Sequence, residues 1–154
     1  MKKTIVRTAL AVVFAIGLIT SMAAPAHAWD RSCSLAGAAG TYGVSDSGTV
    51  IDVGPRAAVA LLTLDTKGNV NGTVTASLNG TVTTGTLSGT YTVSPDCTGT
   101  TTFSEYASGT LAITATVALV WDDNMQAFRF LFTSAALPDG TQLLTAINGD
   151  ARKR

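Results

Sequence analysis

The chain has 154 residues, with ten basic and ten acidic side chains, one histidine and two cysteines. Only 13% of residues are charged and 46% are hydrophobic, which excludes an intrinsically disordered chain. A formal charge of zero also leaves no basic surplus for nucleic acid.

Residues 1–28 read as a signal peptide. Lys2, Lys3 and Arg7 precede an apolar run from Ala9 to Ile19, and Ala26-His27-Ala28 supplies a small-x-small cleavage pattern. The apolar run is short for a bilayer span, and no later run reaches spanning length, so no membrane span is expected after cleavage. The expected location is outside the cytoplasm, periplasmic or extracellular. Cleavage removes three cations and leaves seven basic against ten acidic side chains, a formal charge of −3. That argues against nucleic acid and anionic membrane surfaces as partners. It also removes His27, the only histidine.

A small-residue lead-in over residues 29–39 contains Cys33. The chain then alternates with period two, interrupted by turn residues. Run one is Thr41 to Ser47 and run two Ala57 to Leu64, followed by the turn Asp65-Thr66-Lys67-Gly68-Asn69. Run three is Val70 to Leu78. Asn79-Gly80 is a strong hairpin signal, because a type I′ turn needs positive φ at both central positions. Run four, Thr81 to Val93, contains Gly85 and Gly89, which suggest bends or bulges. Pro95-Asp96-Cys97-Thr98-Gly99 turns the chain into run five, Thr100 to Glu105. Run six spans Thr110 to Trp121 and ends at Asp122-Asp123-Asn124. Run seven is Gln126 to Thr133, and Leu137-Pro138-Asp139-Gly140 leads to run eight, Thr141 to Ile147.

Eight such runs with short connections and no helical periodicity predict an all-β fold. A small antiparallel up-and-down barrel, occupying residues 40–149, is the expected architecture, because closure removes exposed edges. A two-sheet β-sandwich is the alternative. Residues 150–154 read as a solvated, frayed basic tail. In an exported protein Cys33 and Cys97 are expected to form a disulfide that pins the lead-in.

Gly40-Thr41-Tyr42 is echoed by Gly89-Thr90-Tyr91, an echo that fits either two related halves or, more simply, chance in a Gly/Thr/Val-rich chain. The segment from Gly89 to Thr100, with Gly40-Thr41-Tyr42, Asp65 to Asn69 and Phe128-Arg129-Phe130, resembles a pattern of small secreted bacterial β-proteins of uncharacterised function. That resemblance implies a barrel and no activity. A looser resemblance, of fold only, is to lipocalin and allene-oxide-cyclase barrels.

A mature chain without histidine lacks a Ser-His-Asp or Cys-His constellation and the usual zinc ligands. No catalytic residue, metal site or cofactor is therefore assigned. Asp122-Asp123-Asn124 could hold calcium, but a hairpin turn explains it equally well. Glu105, the only glutamate, adjoins Tyr106, and the two could form an acid/base pair or simply a solvated strand end. Arg129 alternates with Phe128 and Phe130 and is expected to point outward; in the opposite register it would bind an anion inside. Tyr91 and Trp121 could line a ligand pocket or fill the core. The repeated Thr-x-Thr pairs read as the polar half of the pleat, since a twisted barrel does not give the flat array that ice binding needs.

The expected function is a non-catalytic exported barrel that binds a small apolar ligand or an envelope surface. Candidate pocket residues are Tyr91, Glu105, Tyr106, Trp121 and Arg129. The alternatives are a barrel-mouth enzyme of cyclase, isomerase or glycosidase type using Glu105 and Tyr106, and a structural or adhesive envelope component.

Overall fold

Each alternating run folds as a strand because one side of its pleat is apolar and needs cover. In the computed structural model, which describes residues 33–122 and 124–154, the strands are β1 (Gly40–Val50), β2 (Gly54–Leu64), β3 (Asn69–Leu78), β4 (Thr81–Tyr91), β5 (Thr98–Ala107), β6 (Thr110–Trp121), β7 (Ala127–Ala136) and β8 (Thr145–Lys153). The leader expected over residues 1–28 lies outside the described residues. Neighbours in sequence are neighbours in the sheet, and all pairs are antiparallel. β1 also pairs with β8, from Tyr42↔Lys153 to Val50↔Thr145, which closes the barrel. The meander and the closed barrel are as the alternation predicts, and the sandwich is excluded.

The inward faces supply the core. Tyr42, Val70 and Ile147 are the largest side chains removed almost completely from solvent, and burial of an isoleucine-sized side chain stabilises by about 1.5–3 kcal/mol. Tyr42, Trp121 and Phe128 pack as an aromatic group at one end, the Trp121 and Phe128 ring centroids 4.5 Å apart. Outside, threonines pair across strands: Thr75 with Thr84, Thr92 with Thr100, and Thr102 with Thr116.

Two stretches differ from the sequence expectation. The lead-in contains one helical turn, α1 (Leu35–Ala38). The Ser34 hydroxyl caps it by accepting the Gly37 N–H at 3.2 Å. A single turn has no stability of its own. This one is held by the barrel, whose side chains donate to its carbonyls: Tyr42 to Ala38 at 2.7 Å, Lys153 Nζ to Gly37 at 2.9 Å, and Tyr91 to Leu35 at 3.3 Å. The turn plugs this end of the barrel.

The second difference is the eighth strand. It begins at Thr145 and runs through Lys153, so the segment expected to fray is wall. Ile147, Gly149, Ala151 and Lys153 take the inward positions, and Arg129 pairs with Asp150 on the outer face. The Lys153 ammonium crosses the Tyr42 ring, 5.6 Å from its centroid, to reach α1. Thr141 to Leu144 instead belong to the β7–β8 connection, tied down by the Ala136↔Gln142 bridge and by Leu143 N–H to Ala135 O at 2.8 Å.

Gly85 and Gly89 occupy inward positions in a continuous β4–β5 register. A Cβ at Gly89 would overlap the Thr102 carbonyl oxygen, and one at Gly85 that of Tyr106. They let β5 approach closely, while the bulges lie at Glu105/Tyr106 and Thr116/Val117. The Cys33–Cys97 disulfide is present, with Cα atoms 5.0 Å apart, and fastens the plug to the β4–β5 turn. The Cys33 N–H donating to Pro95 O at 3.3 Å adds to that attachment.

Candidate functional site

Between the plug and the opposite end, the barrel lumen holds a cavity of about 60 Å³. Its lining is mainly aliphatic and aromatic, with Leu62, Val74, Val117, Phe103, Phe130 and Phe132 among the contributors. Three charged side chains, Asp46, Arg56 and Glu105, enter the same space.

The strand register brings them together. Arg56 on β2 is opposite Gly48, and Asp46 on β1 is opposite Ala58, so the two are diagonal neighbours on one inner face. Their contact is direct: Arg56 Nε donates to Asp46 Oδ1 at 3.2 Å. Arg56 also reaches across the lumen. Its Nη2 stands 3.6 Å from Glu105 Oε2 on β5, and its Cζ lies 5.9 Å from the Phe132 ring centroid on β7. The arginine and both carboxylates are about nine-tenths buried. A charge in this setting needs a partner, and the shared guanidinium supplies it. The Glu105 contact is longer than a hydrogen bond, and among the described residues none donates a hydrogen bond to that carboxylate.

The plugged end has different chemistry. Tyr91 donates to Asp65 O at 2.6 Å and Tyr42 to Met125 O at 3.2 Å, besides their bonds to α1. Burial, then the charge of Asp65, pushes the Tyr91 hydroxyl up to about 12. Burial raises Tyr42 further above the ordinary tyrosine range, with smaller contributions from Tyr91 and Asp122. Both are protonated donors at neutral pH. Asp65 is held below the usual carboxylate range, first by the Asn69 side-chain amide and then by the Asn69 backbone N–H. The Trp121 indole N–H is buried with no partner among the described residues.

Of the sequence candidates, Glu105 lines the cavity. Tyr91 and Trp121 are buried at the plugged end, and neither lines the cavity. Tyr106, beyond the β5 bulge, also lies outside the lining, so Glu105 and Tyr106 are not brought together there. Arg129 is exposed on the outer wall, as its alternation with Phe128 and Phe130 predicts, in a groove with Asp150 and Arg152. Asp122 accepts the Gln126 N–H at 2.8 Å as a turn residue. Sequence reasoning missed Asp46 and Arg56. Asp46 carried a signal, since it continues the Tyr42, Val44 face of run one. Arg56 sits between Pro55 and the first residue assigned to run two, and reads as part of a turn.

No protein-family model matches the chain, and no curated protein matches it. Solved structures do. A redesigned β-barrel, mFAP1, bound to DFHBI superposes with a TM-score of 0.52 at 16% identity, covering 78% of this chain and 98% of that one. EF1p2_mFAP2b bound to DFHBI gives 0.53 at 13% identity, covering 81% and 98%. An S-type phycobiliprotein lyase, CPES, from Guillardia theta gives 0.49 at 10% identity, covering 82% and 96%. At these identities the likeness is one of fold, and the two DFHBI-bound barrels carry it.

Proposed function

We propose that the protein is an exported, non-catalytic barrel that takes up a small, largely apolar ligand in its lumen. The observation that carries this reading is the internal cavity, an apolar chamber into which three buried charged groups converge. Ligand sites have this composition: apolar walls for affinity and a few placed polar groups for orientation. Two barrels of similar fold are bound to a small molecule, DFHBI. The Cys33–Cys97 disulfide is compatible with an oxidising, exported location.

The chamber limits the ligand. At about 60 Å³ it is far smaller than the roughly 300–1,000 Å³ of drug-sized sites. The occupant is therefore a short chain or a single small ring.

Native mass spectrometry of the mature protein purified from its source tests the reading. The expected result is a retained small mass that is absent from an Ala60→Phe variant, whose new ring fills the chamber from β2. A bare chain from the source, together with no saturable change at Phe103 or Phe132 in NMR titrations with 1-butanol, would overturn it. A retained protein partner in place of a small molecule would favour the envelope-surface alternative.

A further inference from the structure

The three buried charges do not balance. Asp46 and Glu105 bring two carboxylates, and among the described residues Arg56 is the one guanidinium that contacts them. Arg56 commits its Nε to Asp46 at 3.2 Å. Glu105 is left at 3.6 Å, nine-tenths buried, facing the chamber and accepting no hydrogen bond from the described residues. A carboxylate that opens onto the chamber with spare acceptor positions can take a donor there, and a charged donor binds it most strongly. Aromatic rings surround the same space. Phe103 and Phe132 meet edge to face with centroids 6.0 Å apart, and Phe130 lies beside Phe132. Ring faces favour cations.

Resting on the ligand-binding reading above, we propose that the barrel is selective for a small amine: a short apolar body with an ammonium head that donates to Glu105. The head brings the chamber's formal charge to zero. A carboxylate ligand would instead place a third anion beside two, with a guanidinium already engaged. A neutral alcohol fits the apolar walls and leaves the surplus charge uncompensated. The ordering of amine, alcohol and carboxylate follows from the charge of the head group.

The experiment titrates the mature protein with butylammonium, 1-butanol and butyrate at pH 7 and fixed ionic strength, following Phe103 and Phe132 signals by NMR. Butylammonium is expected to bind at least about tenfold more tightly than 1-butanol, and butyrate more weakly than either. Glu105→Gln should weaken butylammonium by a larger factor than 1-butanol and so abolish the preference for the amine. Should Glu105→Gln not fold, Asp46→Asn supplies the second measurement. It removes the other carboxylate, frees Arg56 for Glu105, and should lower amine affinity without raising that of the alcohol. Butyrate binding as tightly as butylammonium would overturn the amine assignment and make Arg56 the recognition group, with the ligand-binding reading intact. Equal binding of all three would remove the charge argument. Binding of none would remove the ligand reading itself.

Discussion

Tyr42 and Tyr91 hold one turn of helix from two different strands, the first through the carbonyl of Ala38 and the second through that of Leu35. They stand at matching places in the two Gly-Thr-Tyr segments, one opening β1 and the other closing β4. As sequence, the echo carried no function. In the fold, both copies deliver a buried hydroxyl to the plug. The Asp65 turn serves the same end, because Tyr91 N–H donates to Gly68 O at 2.7 Å and its hydroxyl to Asp65 O. The two Gly-Thr-Tyr segments and the Asp65 turn thus act together to anchor the plug.

Removing a hydroxyl tests this. Tyr42→Phe leaves the Ala38 and Met125 carbonyls without that donor and should destabilise by about 1–3 kcal/mol in urea unfolding. Tyr91→Phe should do the same to Leu35 and Asp65, and hydrogen exchange should quicken first at Leu35–Ala39 in either variant. A variant as stable as the parent, with exchange unchanged, would show that the plug does not depend on these bonds.

Alkaline pH should loosen the same end. The folded Tyr91 hydroxyl is raised to about 12 from an ordinary value of 10.0, and Tyr42 is raised as well. Their contribution is complete below pH 10 and is lost as pH rises through the folded values, because the unfolded chain gives up these protons first. Stability measured from pH 8 to 12 should therefore fall above about pH 10. In the Tyr42→Phe/Tyr91→Phe double variant the fall should be shallower.

The charged trio predicts an asymmetry. Arg56→Met strands two carboxylates in an apolar lumen and should destabilise by about 3–5 kcal/mol. Replacing all three, with Asp46→Leu and Glu105→Met added, should recover most of that loss, because apolar residues of similar volume need no partner. Chemical denaturation of the single and triple variants decides it; equal loss in both would mean that Arg56 acts by packing.

Legibility in the sequence followed local chemistry. Alternation marked the eight strand runs, and run six coincides with β6 from Thr110 to Trp121. Turn residues located the hairpins: Asn79 and Gly80 both adopt positive φ, 49° and 83°. The last strand was misplaced because Leu143 and Leu144 look like strand residues, whereas Gly149-Asp150-Ala151-Arg152-Lys153 looks like a tail. Pairing with β7 on one side and with the distant β1 on the other makes that stretch a wall. The candidate site was half legible for the same reason. Glu105 stood out as the single glutamate, but its significance depends on Arg56 reaching across the lumen from a strand three places away.

The disulfide should be the strongest single fastening. It closes a separation of 64 residues, for which the chain-entropy model gives about 4 kcal/mol. Cys33→Ser/Cys97→Ser should lose up to that amount. The loss should be concentrated at the plug, because β4 and β5 remain paired without the sulfurs. Parallel thermal melts and exchange profiles separate a local release from a global one; uniform exchange across all eight strands would contradict the local picture.

The seam between β1 and β8 has a consequence for how the cylinder is made. Tyr42 meets Lys153 there, so the ring shuts only after nearly all the wall has been laid down, and no smaller assembly of strands is complete. Until that late moment the growing sheet offers raw borders on both sides, each able to recruit a stranger's backbone. An interruption of the chain ahead of Ile147 would make that transient hazard permanent, turning a self-contained ring into an open template for aggregation.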